Sequence, residues 1–268
     1  MLLPQNDEVM EMQVLGTVIA FLIGSVFGSF LLTAAERVRK GVTLWGRSAC
    51  PECQHEIASY HLVPLVSWMA LGGRCASCKK PIAFRYPLIE FLSGLVFLAL
   101  FIRFSFGLSA DWPRLLFEAC FALSLLFFAY FDYRWRLVPI ELAGAATVLV
   151  FIGQVVTGGS WTAALVGLVA ASGFVLIQVI LSRGKLVGSG DPWAAAFIGV
   201  GLGWPLVTAG FYLAYVVGGL LLLLLWAMGL IRHGERVPLV TLLAGGAIGA
   251  LFWGDRMVAW AGQALGWF

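Results

Sequence analysis

The chain has 268 residues, 61% of them hydrophobic and only 12% charged, with a formal net charge of +3 and a mean hydropathy of +0.94. That composition excludes a soluble globular protein and points to a polytopic membrane protein in contact with the lipid bilayer. The small positive charge is spread over several loops, so it gives no support to nucleic-acid binding, which needs basic residues gathered on one folded surface.

In chain order, apolar runs near the ~20 residues needed to cross a bilayer occupy residues 14–35, 88–106, 115–131, 137–156, 161–181, 192–204, 206–231 and 237–252, the sixth being short. Backbone polar groups in hydrocarbon must pair within their own segment, so these runs predict an all-α fold with about eight transmembrane helices. The N-terminal segment carries Asp7, Glu8 and Glu11 and no basic residue before the first run. It lacks the charged start of a cleavable signal peptide, and the first run is expected to be a retained span.

Lysine and arginine collect in cytoplasmic loops. With the amino terminus outside, all 17 of them except Arg103, Arg114 and Arg256 fall inside, Arg232 and Arg236 before the last run included. Trp112, Trp161 and Trp204 then mark outer span ends, where an indole ring suits the headgroup layer. The expected organisation is an N-terminal segment and first span at 1–35, a cytoplasmic loop at 36–87 and a transmembrane domain at 88–268.

That loop holds four of the five cysteines, as Cys50-Pro51-Glu52-Cys53 and Cys75-Ala76-Ser77-Cys78, with 21 residues between the pairs. Two thiolates two residues apart bind one ion from a tight turn, and two such turns close a tetrahedral structural zinc site. A reducing cytoplasm disfavours disulfides there. His55, His61 and His233 are scattered, with His55 alone near enough to compete as a ligand. Cys120 reads as a small apolar residue inside the third run.

Asp132 and Asp191 each stand at the end of an apolar run, on the same predicted cytoplasmic face. Ionisable groups at such positions are costly and are usually functional, so the pair suggests an aspartyl active site. Gly188 and Gly190, beside Asp191, would let backbone approach a substrate and adopt positive φ. Asp191-Pro192 also reads as a helix start. Gly24/Gly28 and Gly245/Gly249 are small-residue spacings that bring helices close. No internal repeat stands out.

The stretch from Arg47 through Cys50 and Cys53, with Pro64-Leu65-Val66-Ser67-Trp68, Gly73-Arg74-Cys75 through Cys78, and Arg85-Tyr86-Pro87-Leu88-Ile89-Glu90, closely resembles the type IV prepilin peptidase family. The resemblance starts at Gly28-Ser29-Phe30-Leu31 and Arg37 and runs through Asp132, Leu137-Val138-Pro139 and Gly188-Ser189-Gly190-Asp191. It implies an integral membrane aspartyl endopeptidase that removes the basic leader from prepilins or pseudopilins on the cytoplasmic side of the bacterial inner membrane. Asp132 and Asp191 fall on the catalytic positions. Many members also N-methylate the new amino terminus with S-adenosylmethionine, and Glu90 and Gly28 are the candidate residues for that step.

The chain departs from the family pattern at Leu32 and Leu62, where Asn is usual, and at Pro192-Trp193, where a small apolar residue and Lys are usual. Ile140 stands where an acidic residue commonly follows the Leu137-Val138-Pro139 motif, with Glu141 one place on. Residues 237–240, Val-Pro-Leu-Val, replace a Pro-Phe-Gly-Pro element. These changes spare the aspartates and bear on substrate range and methyl transfer. The alternative from a different class is a noncatalytic membrane scaffold whose zinc loop binds pilus or secretion components.

Overall fold

Within the described residues, each apolar run is mostly helix, as the need to pair backbone groups internally requires. The computed structural model describes residues 5–105, 111–230 and 237–264; Arg232, His233 and Arg236 lie outside them. The helices are α1 (Gln5–Lys40), α2 (Val66–Ala70), α3 (Arg85–Ser105), α4 (Trp112–Trp135), α5 (Ile140–Val156), α6 (Trp161–Ser182), α7 (Asp191–Leu202), α8 (Leu206–Tyr212), α9 (Gly218–Ala227) and α10 (Leu239–Ala264). A π-helical turn, Leu213–Val217, joins α8 to α9. No strand occurs among the described residues, only two isolated bridges in the cysteine loop. The chain is an all-α polytopic membrane protein.

Among the described residues, five segments are long and apolar enough to cross a membrane: Met10–Lys40, Arg85–Phe104, Trp112–Trp135, Trp161–Ser182 and Leu206–Ala227. Of the remaining expected runs, α5 has 17 residues, near the lower limit for a crossing, and α7 has 12. Helix α7 is buried from Ala194 to Leu202, a core helix. Helix α10 is long but carries Asp255 and Arg256.

Two compact units divide the chain at Ala119 and Cys120. In the first, α1 and α3 approach closely through Gly24 and Gly28. A Cβ on Gly24 would lie 2.6 Å from the Ser93 carbonyl oxygen, and one on Gly28 2.7 Å from Ser93 Oγ. Beyond α1, the Arg37 guanidinium donates to the carbonyls of Leu44 at 2.7 Å, Gly46 at 2.9 Å and Arg47 at 3.0 Å, folding the chain back into the cysteine loop. Buried Glu118 accepts from Arg103 and Arg114, both at 3.0 Å, so this carboxylate is paired as burial demands.

The second unit is organised by backbone-to-backbone glycine contacts. A Cβ on Gly199 would sit 2.3 Å from the Gly167 carbonyl oxygen, and one on Gly246 2.2 Å from that of Gly210. These sites admit no side chain, which locks α6 to α7 and α8 to α10. Of the Gly245/Gly249 pair, only Gly249 has a neighbour, and Gly246 makes the close approach instead. Phe121 and Phe128 pack on Phe197 of α7 at ring distances of 5.1 and 5.2 Å.

Candidate functional site

Asp132 lies in the last turn of α4, with 5% of its surface exposed. Its Oδ2 accepts from the Thr241 backbone N–H at 3.0 Å and lies 3.3 Å from the Thr241 hydroxyl, which is also 3.0 Å from the Ala129 carbonyl oxygen. Thr241 is the third residue of α10. The first N–H groups of a helix have no partner within it and carry its positive partial charge, so they suit a carboxylate. Asp132 therefore caps a helix that begins more than a hundred residues later. The replaced 237–240 element supplies the start of that helix. Sequence reasoning missed Thr241.

Asp191 opens α7, and its carboxylate turns back to accept from the Gly188 N–H at 2.8 Å. The residue ahead of the helix is Gly190, not Asp191, and no side chain caps it. Neither Gly188 nor Gly190 takes the positive φ that their composition suggests. The requirement at Gly190 is space, because a Cβ there would lie 2.9 Å from Val138 Cβ. The Gly188-to-Asp191 turn thus nests on the Leu137-Val138-Pro139 segment that follows α4, which draws the two aspartate-bearing motifs together. Burial pushes the Asp191 carboxyl up to about 6, the Gly188 N–H opposes that rise and the charge of Asp132 adds to it. The Asp191 carboxyl therefore senses the charge of Asp132. Like charges sharing a site favour keeping one proton between them.

The cysteines form two matching turns. Ala49 bridges Glu56 and Arg74 bridges Pro81. Cys50 N–H donates to the His55 carbonyl and Cys75 N–H to that of Lys80, at 3.0 and 2.9 Å. Gln54 and Lys79 occupy the same left-handed conformation, φ 58° and 59°. This local repeat was not evident from residue types. All four sulfurs lie within 4.8 Å of one another, with Cys50 and Cys78 Sγ 3.9 Å apart, close to the roughly 3.8 Å that 2.3 Å Zn–S bonds impose in a tetrahedron. Backbone N–H groups of Cys78 and Ser77 hold the Cys75 thiol down at about 6. Against the Lys80 N–H, desolvation and three neighbouring sulfurs push the Cys78 thiol up to about 11. A cation would relieve that crowding, and the donor set fits zinc. His55 contributes its carbonyl and is not in the sulfur group.

Glu90 is buried, and its Oε2 accepts the Leu65 N–H at 2.8 Å. Leu65 has φ 60° and ψ −51°, so this bond holds a conformation leucine rarely adopts. Gly28 faces Ser93 and the Glu90 backbone in tight helix contact. These two residues thus share one junction. Leu32 is fully buried in α1 and Leu62 is exposed. Cys120 lies on an exposed face of α4.

Residues 22–104 match the family model described as the bacterial peptidase A24 N-terminal domain. The chain is 31% identical over 246 residues to a prepilin leader peptidase/N-methyltransferase of Bacillus subtilis, an alignment that spans 90% of this chain and 96% of that protein. It is 35% identical over 234 residues to one from Myxococcus xanthus, spanning 82% of this chain and 65% of that protein. A relative of the same description from Pseudomonas aeruginosa is 32% identical over 220 residues, spanning 78% and 72%. No solved structure matches the chain.

Proposed function

The chain belongs to the prepilin leader peptidase/N-methyltransferase family, and on that premise we propose that it is an aspartyl endopeptidase that removes the basic leader from a prepilin or pseudopilin. The observation that carries this reading is the pair of carboxylates, Asp132 capped by Thr241 and Asp191 turned onto Gly188, with the charge of Asp132 acting on the Asp191 carboxyl. One carboxylate takes a proton from a water that attacks the scissile carbonyl while the protonated partner gives its own to the developing oxyanion; as the tetrahedral species collapses, the proton taken from water passes to the leaving amine and the partner recovers its proton from the re-forming carbonyl. A carboxyl near 6 suits this work, since it binds and releases a proton close to neutral pH. The dyad titrates as one unit.

The basic-residue distribution supports an inner-membrane placement with the amino terminus outside and both aspartates and the cysteine loop facing the cytoplasm. The domain reading follows: a first span at 1–35, a zinc-binding loop at 36–87 held by Cys50, Cys53, Cys75 and Cys78, and a peptidase domain at 88–268. Zinc in a closed four-thiolate site stabilises its loop and leaves no position for a catalytic water.

Methyl transfer from S-adenosylmethionine is proposed as the weaker activity. At Leu32 and Leu62 an apolar chain replaces an amide that both donates and accepts hydrogen bonds, and Glu90 is engaged with Leu65. Incubating the purified protein with a synthetic prepilin and S-adenosylmethionine, followed by mass spectrometry of both fragments, tests both halves. Cleavage at the leader junction with methylation lagging behind is expected. An intact substrate would overturn the peptidase reading, and methylation keeping pace with cleavage would overturn the second.

A further inference from the structure

Between Glu56 and Arg74 the chain has no Asp, Glu, Lys or Arg, an apolar stretch inside the cysteine loop. Part of it packs inward. Ser67 of α2 is buried and its hydroxyl donates to the Tyr60 carbonyl at 3.0 Å, and the Trp68 indole N–H donates to the Ile82 carbonyl at 3.2 Å. The rest faces out: Leu62, Val63, Val66 and Met69 are 41 to 65% exposed. Val66 and Met69, three residues apart, lie on one face of α2, and exposed apolar surface of this kind marks a partner.

Two contacts set the depth of this surface. The Leu65 N–H, in its middle, donates to Glu90 Oε2 at 2.8 Å. Glu90 is the sixth residue of α3, about 8 Å along the helix at 1.5 Å per residue. The apolar span of α3, Arg85–Phe104, has 20 residues, about 30 Å and no longer than the hydrocarbon it crosses, so its second turn lies at the membrane boundary and not out in water. The other contact is the edge-on packing of Trp68 against Phe84, with ring centroids 5.8 Å apart. Phe84 directly precedes α3 and enters the headgroup layer with it, where aromatic rings are favoured.

Charge fits the same setting. Helices α1 and α3 are antiparallel, with Gly16 beside Phe101 and Gly28 beside Glu90, so the end of α1 and the start of α3 lie at one side of the membrane. The last turn of α1 carries Arg37, Arg39 and Lys40, and Arg85 opens α3, a basic margin that matches anionic headgroups. An interfacial segment needs an apolar face for the acyl chains and basic neighbours for the headgroups. The first unit supplies both.

We propose that Leu62, Val63, Val66 and Met69 are embedded in the headgroup–acyl boundary of the leaflet where α1 ends and α3 begins, so that residues 59–70 form an interfacial element that moors the cysteine loop to the bilayer surface. The occupant of the exposed face is lipid. This goes beyond the peptidase reading and does not depend on it.

The test uses the purified full chain reconstituted in vesicles of phosphatidylethanolamine and phosphatidylglycerol. It is labelled in parallel by a phospholipid carrying a diazirine near its headgroup and by a water-soluble diazirine, and the adducts are mapped by mass spectrometry. Residues 62–69 are expected to take up lipid adducts as strongly as exposed Leu88 in the first turn of α3, and few aqueous ones. The double variant Val66→Asp/Met69→Asp, both positions exposed and outside the packed side of α2, should shift this segment to the aqueous reagent while the thermal unfolding midpoint holds. The parental pattern decides the matter even if that variant folds poorly. Aqueous adducts without lipid ones on the parent would leave the segment in water and overturn the proposal. So would protection from both reagents, which would mean that protein covers the face, and so would aqueous labelling that a synthetic prepilin suppresses, the mark of a peptide-docking surface.

Discussion

The cysteine loop and the aspartate pair both gather groups that repel when charged, over very different lengths of chain. In the loop, each turn is closed by its own backbone, Cys50 N–H to His55 and Cys75 N–H to Lys80, and the halves are 21 residues apart. In the aspartate pair, Asp132 is held by a residue 109 positions away, and the Asp191 turn packs on Val138 through Gly190, in a unit where Gly199 and Gly246 let helices touch backbone to backbone. The loop is therefore a local device whose four sulfurs could hold a metal ion. The dyad is a product of helix packing throughout the second unit, so perturbing either should leave the other intact.

The largest separation is expected from the aspartates. Asp132→Asn and Asp191→Asn should each lower cleavage by roughly a thousandfold or more, since removing one member of a concerted unit costs nearly as much as removing all of it. Zinc content and the unfolding midpoint should stay near the parental values. A midpoint that falls with activity would mean that these carboxylates serve packing.

Next come the cysteines. Cys50→Ser or Cys78→Ser should drop bound zinc from about one ion per chain towards none, because four thiolates fill a single tetrahedral site. Limited proteolysis should then cut within residues 36–87. Cleavage is expected to fall by about tenfold, an indirect loss that leaves the dyad assembled. Full activity in metal-free protein would break the link between loop and substrate handling.

The smallest effect should come from Thr241→Val. It removes the hydroxyl 3.3 Å from Asp132 Oδ2 and keeps the backbone N–H at 3.0 Å, so cleavage should fall only about three- to tenfold, the share of one hydrogen bond to a charged group. A loss as deep as that of Asp132→Asn would place Thr241 in the reacting group.

Local signals were legible before any coordinates. The spacing of the paired Cys-x-x-Cys turns is enough to pick out the four-cysteine cluster, and Asp132 and Asp191 stand out because charges at the ends of apolar runs need a reason. Their partners were not legible. Thr241 sits among Val240, Leu242 and Leu243 with no spacing that ties it to Asp132, and only the helix start after Pro238 hints at free N–H groups. The π turn at Tyr215 lies in an uninterrupted apolar run that reads as ordinary helix. Apolar length alone also leaves the setting of α7 open: it is buried from Ala194 to Leu202 in the second unit, and one-dimensional hydropathy does not separate burial in protein from burial in lipid.

The most direct test of the dyad is the cleavage rate of the double variant Asp132→Asn/Asp191→Asn against each single one, on the same synthetic prepilin with zinc content checked in every sample. If the two carboxylates share one proton and act as one unit, the double variant is no slower than the worse single variant. Losses that multiply, or substantial cleavage by either single variant, would contradict the account.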